Sequence, residues 1–180
     1  MHFLCLRTCH RLTKIKKWGN ARLKKTRFIT EAAVIAAMYA ALTIIFAPIS
    51  FGQNGQIQIR VSEALTILPM FTPAAIPGLF VGCLIANIYG GLGPIDMIFG
   101  SAATLIAAFM TYKMPKKYLV PLPPVIVNGV IIGMELTYLY QVPLLISMAT
   151  VAFGELVACY GLGYPLILLL EKSRKAIFAK

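Results

Sequence analysis

Acidic residues are scarce in this 180-residue chain, which holds 6 of them against 17 lysines and arginines. Histidine is scarcer still: His2 and His10 both fall in the basic head, residues 1–27. That placement excludes a Ser–His nucleophile or a His-ligated metal within the apolar body. No G-x-x-x-x-G-K-[ST] phosphate loop occurs, so the chain does not hydrolyse ATP by that route. Cysteine is limited to Cys5, Cys9, Cys83 and Cys159. Cys5-x3-Cys9-His10 lacks the second ligand pair of a zinc site, and Cys83 and Cys159 stand singly in apolar runs. The head is too basic, and its apolar run too short, for a cleavable signal peptide. No internal repeat is evident.

Apolar residues are plentiful. The chain is 59% hydrophobic with a mean hydropathy of +0.80, whereas soluble domains lie nearer ~45–50% apolar. This is the composition of an integral membrane protein. Its charge is segregated: 9 of the 17 basic residues fall between Arg7 and Arg27, then come Lys113, Lys116 and Lys117, and a last block runs from Lys172 to Lys180. Only Arg60 stands outside these blocks. The net charge of +11 therefore describes short flanks and not a nucleic-acid surface. Lys and Arg near span ends mark the cytoplasmic side, which places all three blocks there. At ~20 residues per span, residues 28–112 then hold four crossings and residues 118–171 hold two. The reading is an all-α membrane protein, a compact bundle of six transmembrane helices with both termini cytoplasmic. Four long spans with re-entrant pieces are the alternative count. Residues 1–27 form a basic cytoplasmic head, interfacial or disordered, residues 28–171 the bundle, and residues 172–180 a basic cytoplasmic tail.

The first span, 28–49, carries two alanine rows, Ala32/Ala36/Ala40 and Ala33/Ala37/Ala41, smooth enough for another helix to approach closely. A second, short span near 57–71 is led by Gln53, Asn54, Gln56 and Gln58 and closed by Pro69 and Pro73. The third ends near Tyr89, with Gly78, Gly82 and Ala86 at every fourth position. Gly90 to Pro94 form an external turn. The fourth runs from about Ile95 to Tyr112, the fifth begins at Pro121, and the sixth is long, from Pro143 to Leu170.

Charge is expensive inside such a body. Arg60 and Glu63 nevertheless sit three residues apart in the second span, where a helix would put both on one face. They read either as an internally paired helix start or as one wall of a polar pocket. Glu31 and Glu171 lie at cytoplasmic helix ends. Glu63, Asp96, Glu135 and Glu155, with Asn87 and Asn128, lie in the outer half or near the midplane of five spans. Converging at similar depth, they line an outward-opening cavity. Four acids against one arginine invite a cationic or multi-donor ligand, because an unpaired buried carboxylate neutralises. Interhelical hydrogen bonds, worth about a kcal/mol or less each, are the plainer account of the same residues.

Gln58-Ile-Arg60-Val-Ser-Glu63-Ala-Leu-Thr-Ile-Leu-Pro69 and Phe71-Thr-Pro73-Ala-Ala-Ile-Pro77-Gly78-Leu-Phe-Val-Gly82-Cys-Leu-Ile-Ala86-Asn87 resemble the queuosine precursor transporter family, QueT. Asp96-Met-Ile-Phe-Gly100-Ser-Ala-Ala-Thr104-Leu, Asn128 and Gly154-Glu155-Leu fit the same pattern, over about residues 28–171. The head falls outside it, as a strain-specific extension or a misplaced start codon would. The resemblance implies a substrate-binding S component of an energy-coupling factor transporter, with a membrane T component and two ATPase subunits as partners. It implies no cofactor of the chain's own, ATP being used by the partners. It also implies that an Ala-x-x-x-Ala row on the first span docks to the T component, without saying which of the two rows. The implied substrate is an aminomethyl-deazaguanine base. A carboxylate can accept its adjacent N–H donors together, and its ammonium wants a second carboxylate. In that scheme Glu63 and Glu155 supply the carboxylates, and Asn87, Asn128 and Arg60 donate or orient. Asp96 and Glu135 lie at the rim, and Tyr89 or Tyr138 stacks on the base. An S component for another vitamin or nucleobase, a stand-alone carrier and a structural subunit are the competing readings.

Overall fold

The computed structural model describes the backbone of residues 2–51, 58–91 and 93–178, and side chains within 24–51, 58–91 and 93–173. Gln53, Asn54 and Gln56 lie outside the described residues, as do the side chains of most of the basic head. All the regular elements among the described residues are helical. They are α1 (His2–Ile45), α2 (Ala47–Ser50), a 3₁₀ helix (Val61–Met70), α3 (Ala75–Gly90), α4 (Pro94–Tyr112), a 3₁₀ turn (Lys117–Leu119), α5 (Leu122–Tyr140), α6 (Leu144–Leu156), a π-helical segment (Val157–Gly163) and α7 (Tyr164–Phe178). The last three form one continuous rod.

Four stretches are long and apolar enough to cross a membrane: Lys24–Ile45, Pro94–Tyr112, Lys117–Tyr140 and Leu144–Ser173. Val61–Met70 and Ala75–Gly90 are apolar but shorter. The helices pack in chain order, α1 on α3, α3 on α4, α4 on α5 and α5 on α6, and the 3₁₀ helix lies against α1, α3, α4, α7 and the π segment. It is therefore the axis of the bundle, with Ser62 through Ile67 all buried.

Small residues set the closest contacts. A methyl group added to Gly78 would stand 2.7 Å from the Ala32 carbonyl oxygen, and one on Gly82 2.8 Å from that of Ala36. The Gly78/Gly82/Ala86 row thus receives α1 along Ala32/Ala36/Ala40, of which Ala36 and Ala40 are buried. Ala33, Ala37 and Ala41 face outward and are exposed. Gly91 (φ 69°) and Gly93 (φ 101°) adopt the left-handed conformations that the α3–α4 turn requires.

The two end acids are paired. Glu31 accepts from Arg27 Nε (2.8 Å) and Thr72 Oγ1 (2.9 Å), which ties the 71–74 turn to α1. Lys117 Nζ meets Glu171 at 2.6 Å and ties the start of α5 to α7.

The segment expected to form the second span departs from expectation. It is not an α-helix holding Arg60 and Glu63 on one face. Arg60 is extended (φ −84°, ψ 98°) and precedes a ten-residue 3₁₀ helix. Its guanidinium ion-pairs with Asp96 at 3.6 Å. The chain enters extended over residues 58–60, and the helix starts only at Val61.

Candidate functional site

The polar side chains that enter the bundle meet around the 3₁₀ helix. Glu63, Asn87 and Asp96 are essentially inaccessible, and Arg60, Asn128, Glu135 and Glu155 are each at most 7% exposed. The helices α1, α3, α4, α5 and α6 and the π segment contribute. The Tyr39 hydroxyl of α1 donates to Glu63 Oε1. One turn on, Thr43 Oγ1 and Ser62 Oγ are 2.7 Å apart. From α5, Asn128 Nδ2 donates to Glu155 Oε1 at 2.9 Å, and Asn128 also faces Glu63. From the π segment, the Cys159 thiol lies 3.5 Å from both Glu155 Oε2 and the Glu63 carbonyl oxygen. The π segment begins two residues after Glu155 and keeps Cys159 on the same inward face; such local widening of a helix recurs at functional sites.

A second tier lies toward the far ends of α3, α4 and α5. Asn87 Nδ2 donates to the Asp96 carbonyl oxygen at 3.1 Å. Gly100 leaves room for both side chains: a methyl there would stand 2.6 Å from Asn87 Nδ2 and 3.2 Å from Asp96 Oδ1. Glu135 is within electrostatic range of Asp96 and Arg60. Thr104 Oγ1 donates to Cys83 Sγ at 3.3 Å, bordering the two tiers. Arg60 stands between the tiers, in electrostatic range of Asp96 and Glu63 and 5.6 Å over the Phe51 ring.

Several of these buried atoms have no hydrogen-bond partner. In the inner tier they are the acceptors Glu63 Oε2 and Asn128 Oδ1. In the outer tier they are Asp96 Oδ2, Asn87 Oδ1 and both Glu135 oxygens, and between the tiers lies the donor Arg60 NH2. A buried polar atom left unpaired costs ~1–3 kcal/mol, more when charged. Each such group calls for a partner, which an ordered water, an ion or a ligand can supply.

Among the expected site residues, Arg60, Glu63, Asn87, Asp96, Asn128, Glu135 and Glu155 are all interior. Tyr89 and Tyr138 are not brought to them: they are 61% and 70% exposed. Tyr138 instead lines an apolar groove of about 660 Å³ between α4 and α5, with Phe99 and Met134, and Glu135 borders the same groove. Residues not anticipated are Tyr39, Thr43, Ser62, Thr66, Cys83, Thr104 and Cys159. Tyr39 and Thr43 are spaced four apart on the face that carries Ala36 and Ala40, which was the available signal.

Apolar helices of crossing length, closed around buried polar groups, define a membrane protein with a polar interior. The family model described as QueT transporter matches residues 29–172, and the chain belongs to that family. It is 27% identical over 152 residues to the Queuosine precursor transporter QueT of Lactococcus lactis subsp. cremoris (strain MG1363), covering 76% of this chain and 88% of that protein. No solved structure matches the chain.

Proposed function

We propose that this chain is the substrate-binding S component of an energy-coupling factor importer in the bacterial plasma membrane, and that it takes up an aminomethyl-deazaguanine precursor of queuosine. It crosses the membrane six times with both termini cytoplasmic. The short segments support that count. Ten residues of 3₁₀ helix rise ~20 Å, and the three-residue approach adds up to ~10 Å, together near the ~30 Å hydrocarbon core. The basic ends of α1, α5 and α7 and the 71–74 turn meet at one end of the bundle, as a cytoplasmic face would.

The observation that carries the substrate is the order of the unpaired atoms. Around its rim the base presents an exocyclic amine, a ring N–H, a carbonyl oxygen and the aminomethyl arm. Glu63 Oε2 and Asn128 Oδ1 are two acceptors for the N–H edge. Arg60 NH2, 3.6 Å from Asp96 Oδ1, is the donor for the carbonyl oxygen, and Asp96 and Glu135, which face each other, offer carboxylate oxygens to the ammonium. Glu155, whose oxygens already meet Asn128 and Cys159, orients the inner tier. This moves the ammonium's place from Glu155 to the outer carboxylates.

Energy comes from the T component and two ATPase subunits. The exposed row Ala33/Ala37/Ala41 is the docking stripe, since Ala32/Ala36/Ala40 is occupied by α3. Calorimetry of the purified protein against deazaguanines, purines and common vitamins tests the reading. Binding of the aminomethyl base is expected; binding of a vitamin and of no deazaguanine overturns it. Uptake by vesicles that hold this chain alone would instead make it a stand-alone carrier.

A further inference from the structure

We infer that Tyr39 is a positioning residue of the site: its hydroxyl fixes the Glu63 carboxylate and determines which oxygen is offered to the base. The inference rests on the substrate reading above.

Glu63 has two carboxylate oxygens and two different fates for them. Oε1 accepts from the Tyr39 hydroxyl, and Oε2 is buried without a partner. A carboxylate free to rotate would present either edge. One held at Oε1 by a phenol presents Oε2 alone. Tyr39 is itself immobilised: it is fully buried, and its Cβ is packed where Gly82 leaves space, 2.8 Å from the position a methyl group would take. Its neighbour Thr43 makes the adjacent bond to Ser62. Two side chains one turn apart on α1 therefore grip two consecutive residues of the 3₁₀ helix. The same helix presents Ala33, Ala37 and Ala41 outward on its other side. α1 thus links the ligand-binding carboxylate to the exposed stripe through one rigid rod.

A residue that acts only through Glu63 has a diagnostic signature. Tyr39→Phe is expected to lower affinity for the aminomethyl-deazaguanine base by roughly tenfold, within the range of one hydrogen bond to a charged group. Glu63→Gln lowers it further. The double variant Y39F/E63Q should bind within about twofold of E63Q, because Tyr39 then has no carboxylate to hold. Thr43→Val, which removes the bonds to Ser62 Oγ and to the Tyr39 carbonyl but leaves the Tyr39 hydroxyl in place, should lower the unliganded melting temperature without that coupling to Glu63. A second measurement avoids deletion of the hydroxyl. With 3-fluorotyrosine at position 39, the fluorine resonance should shift on adding the base and should differ between the unaltered and E63Q backgrounds. Wild-type affinity in Y39F, full additivity with E63Q, or a fluorine signal indifferent to both overturns this inference alone. Failure of the unaltered protein to bind the base overturns the substrate reading together with it.

Discussion

Gly154→Ala has less room than any other glycine substitution in the described bundle. A methyl group there would lie 1.9 Å from the Gln58 carbonyl oxygen and 3.0 Å from its carbon. Carbon and carbonyl oxygen in ordinary close contact stand ~3.3 Å apart, so the two chains must separate by roughly 1.4 Å. Neither side is the loose end of a side chain. α6 is held on its far flank by α5, where Gly129 meets Ala152 and Gly133 meets the Met148 backbone. The approach segment 58–60 is thus the part that yields, and it carries Arg60. Overpacking typically costs ~1–3 kcal/mol, and a backbone-to-backbone clash belongs at the upper end. Arg60, already 3.6 Å from Asp96, loses its place beside the site. Loss of one hydrogen bond to a charged group corresponds to ~1.5–3 kcal/mol, or ~10–150-fold in affinity. Thermal unfolding and calorimetry in one detergent would measure both, beside Gly161→Ala as the control. Gly161 has nothing within 4 Å of a would-be Cβ and should tolerate the methyl. A G154A protein that melts and binds like the unaltered one would refute the crossing of segment 58–60 over α6.

Two further outcomes are expected. Glu135→Gln should weaken the aminomethyl base by about tenfold more than its neutral nitrile analogue, since only the former carries an ammonium for that carboxylate to meet. Glu155→Gln should weaken both alike, and the reverse pattern would return the ammonium to Glu155. Ala37→Leu should leave base binding by the isolated protein intact and abolish co-purification with the T component. Ala36→Leu, forced into α3, should destabilise the bundle by ~1–3 kcal/mol. Equal loss of co-purification in two stable variants would argue against the outward row.

The alanine rows illustrate how far the sequence carries. Their four-residue spacing made close packing legible, and so did the matching row Gly78/Gly82/Ala86. Nothing in spacing says which of two adjacent rows a neighbouring helix takes; that depends on where α3 returns after the 71–74 turn. The buried acids were legible for a similar reason, since carboxylates so far inside an apolar run have few places to go. Their pairings were not, because Tyr39–Glu63 and Asn128–Glu155 join residues 24 and 27 apart in the chain. Tyr89 and Tyr138 were placed by their chemistry, as rings able to stack, whereas exposure is set by which side of α3 and α5 they occupy.

The second span was misread through its period. Taken as an α-helix, Arg60, Glu63 and Thr66 drift around the axis by ~60° per three residues. At three residues per turn Glu63 and Thr66 stay in line, and the neighbouring rows stay in line with them, whereas Arg60 precedes the helix in an extended conformation. Ser62 and Leu65 then face α1 and α3, where Ser62 meets Thr43 and Leu65 joins Ile35, Tyr39 and Leu79. Ala64 and Ile67 face the sixth rod, where both touch the space above Gly163. The Glu63/Thr66 row is left to the polar interior, with Thr66 against Cys159. The tighter helix is what lets one short segment serve two apolar neighbours and a polar site without any row crossing another. Runs of 3₁₀ beyond three or four residues are uncommon because their hydrogen bonds are poorer. Here a surround of packed helices holds ten residues in that form, and the threefold alternation of Ser-Glu-Ala, Leu-Thr-Ile and Leu-Pro-Met is its sequence mark.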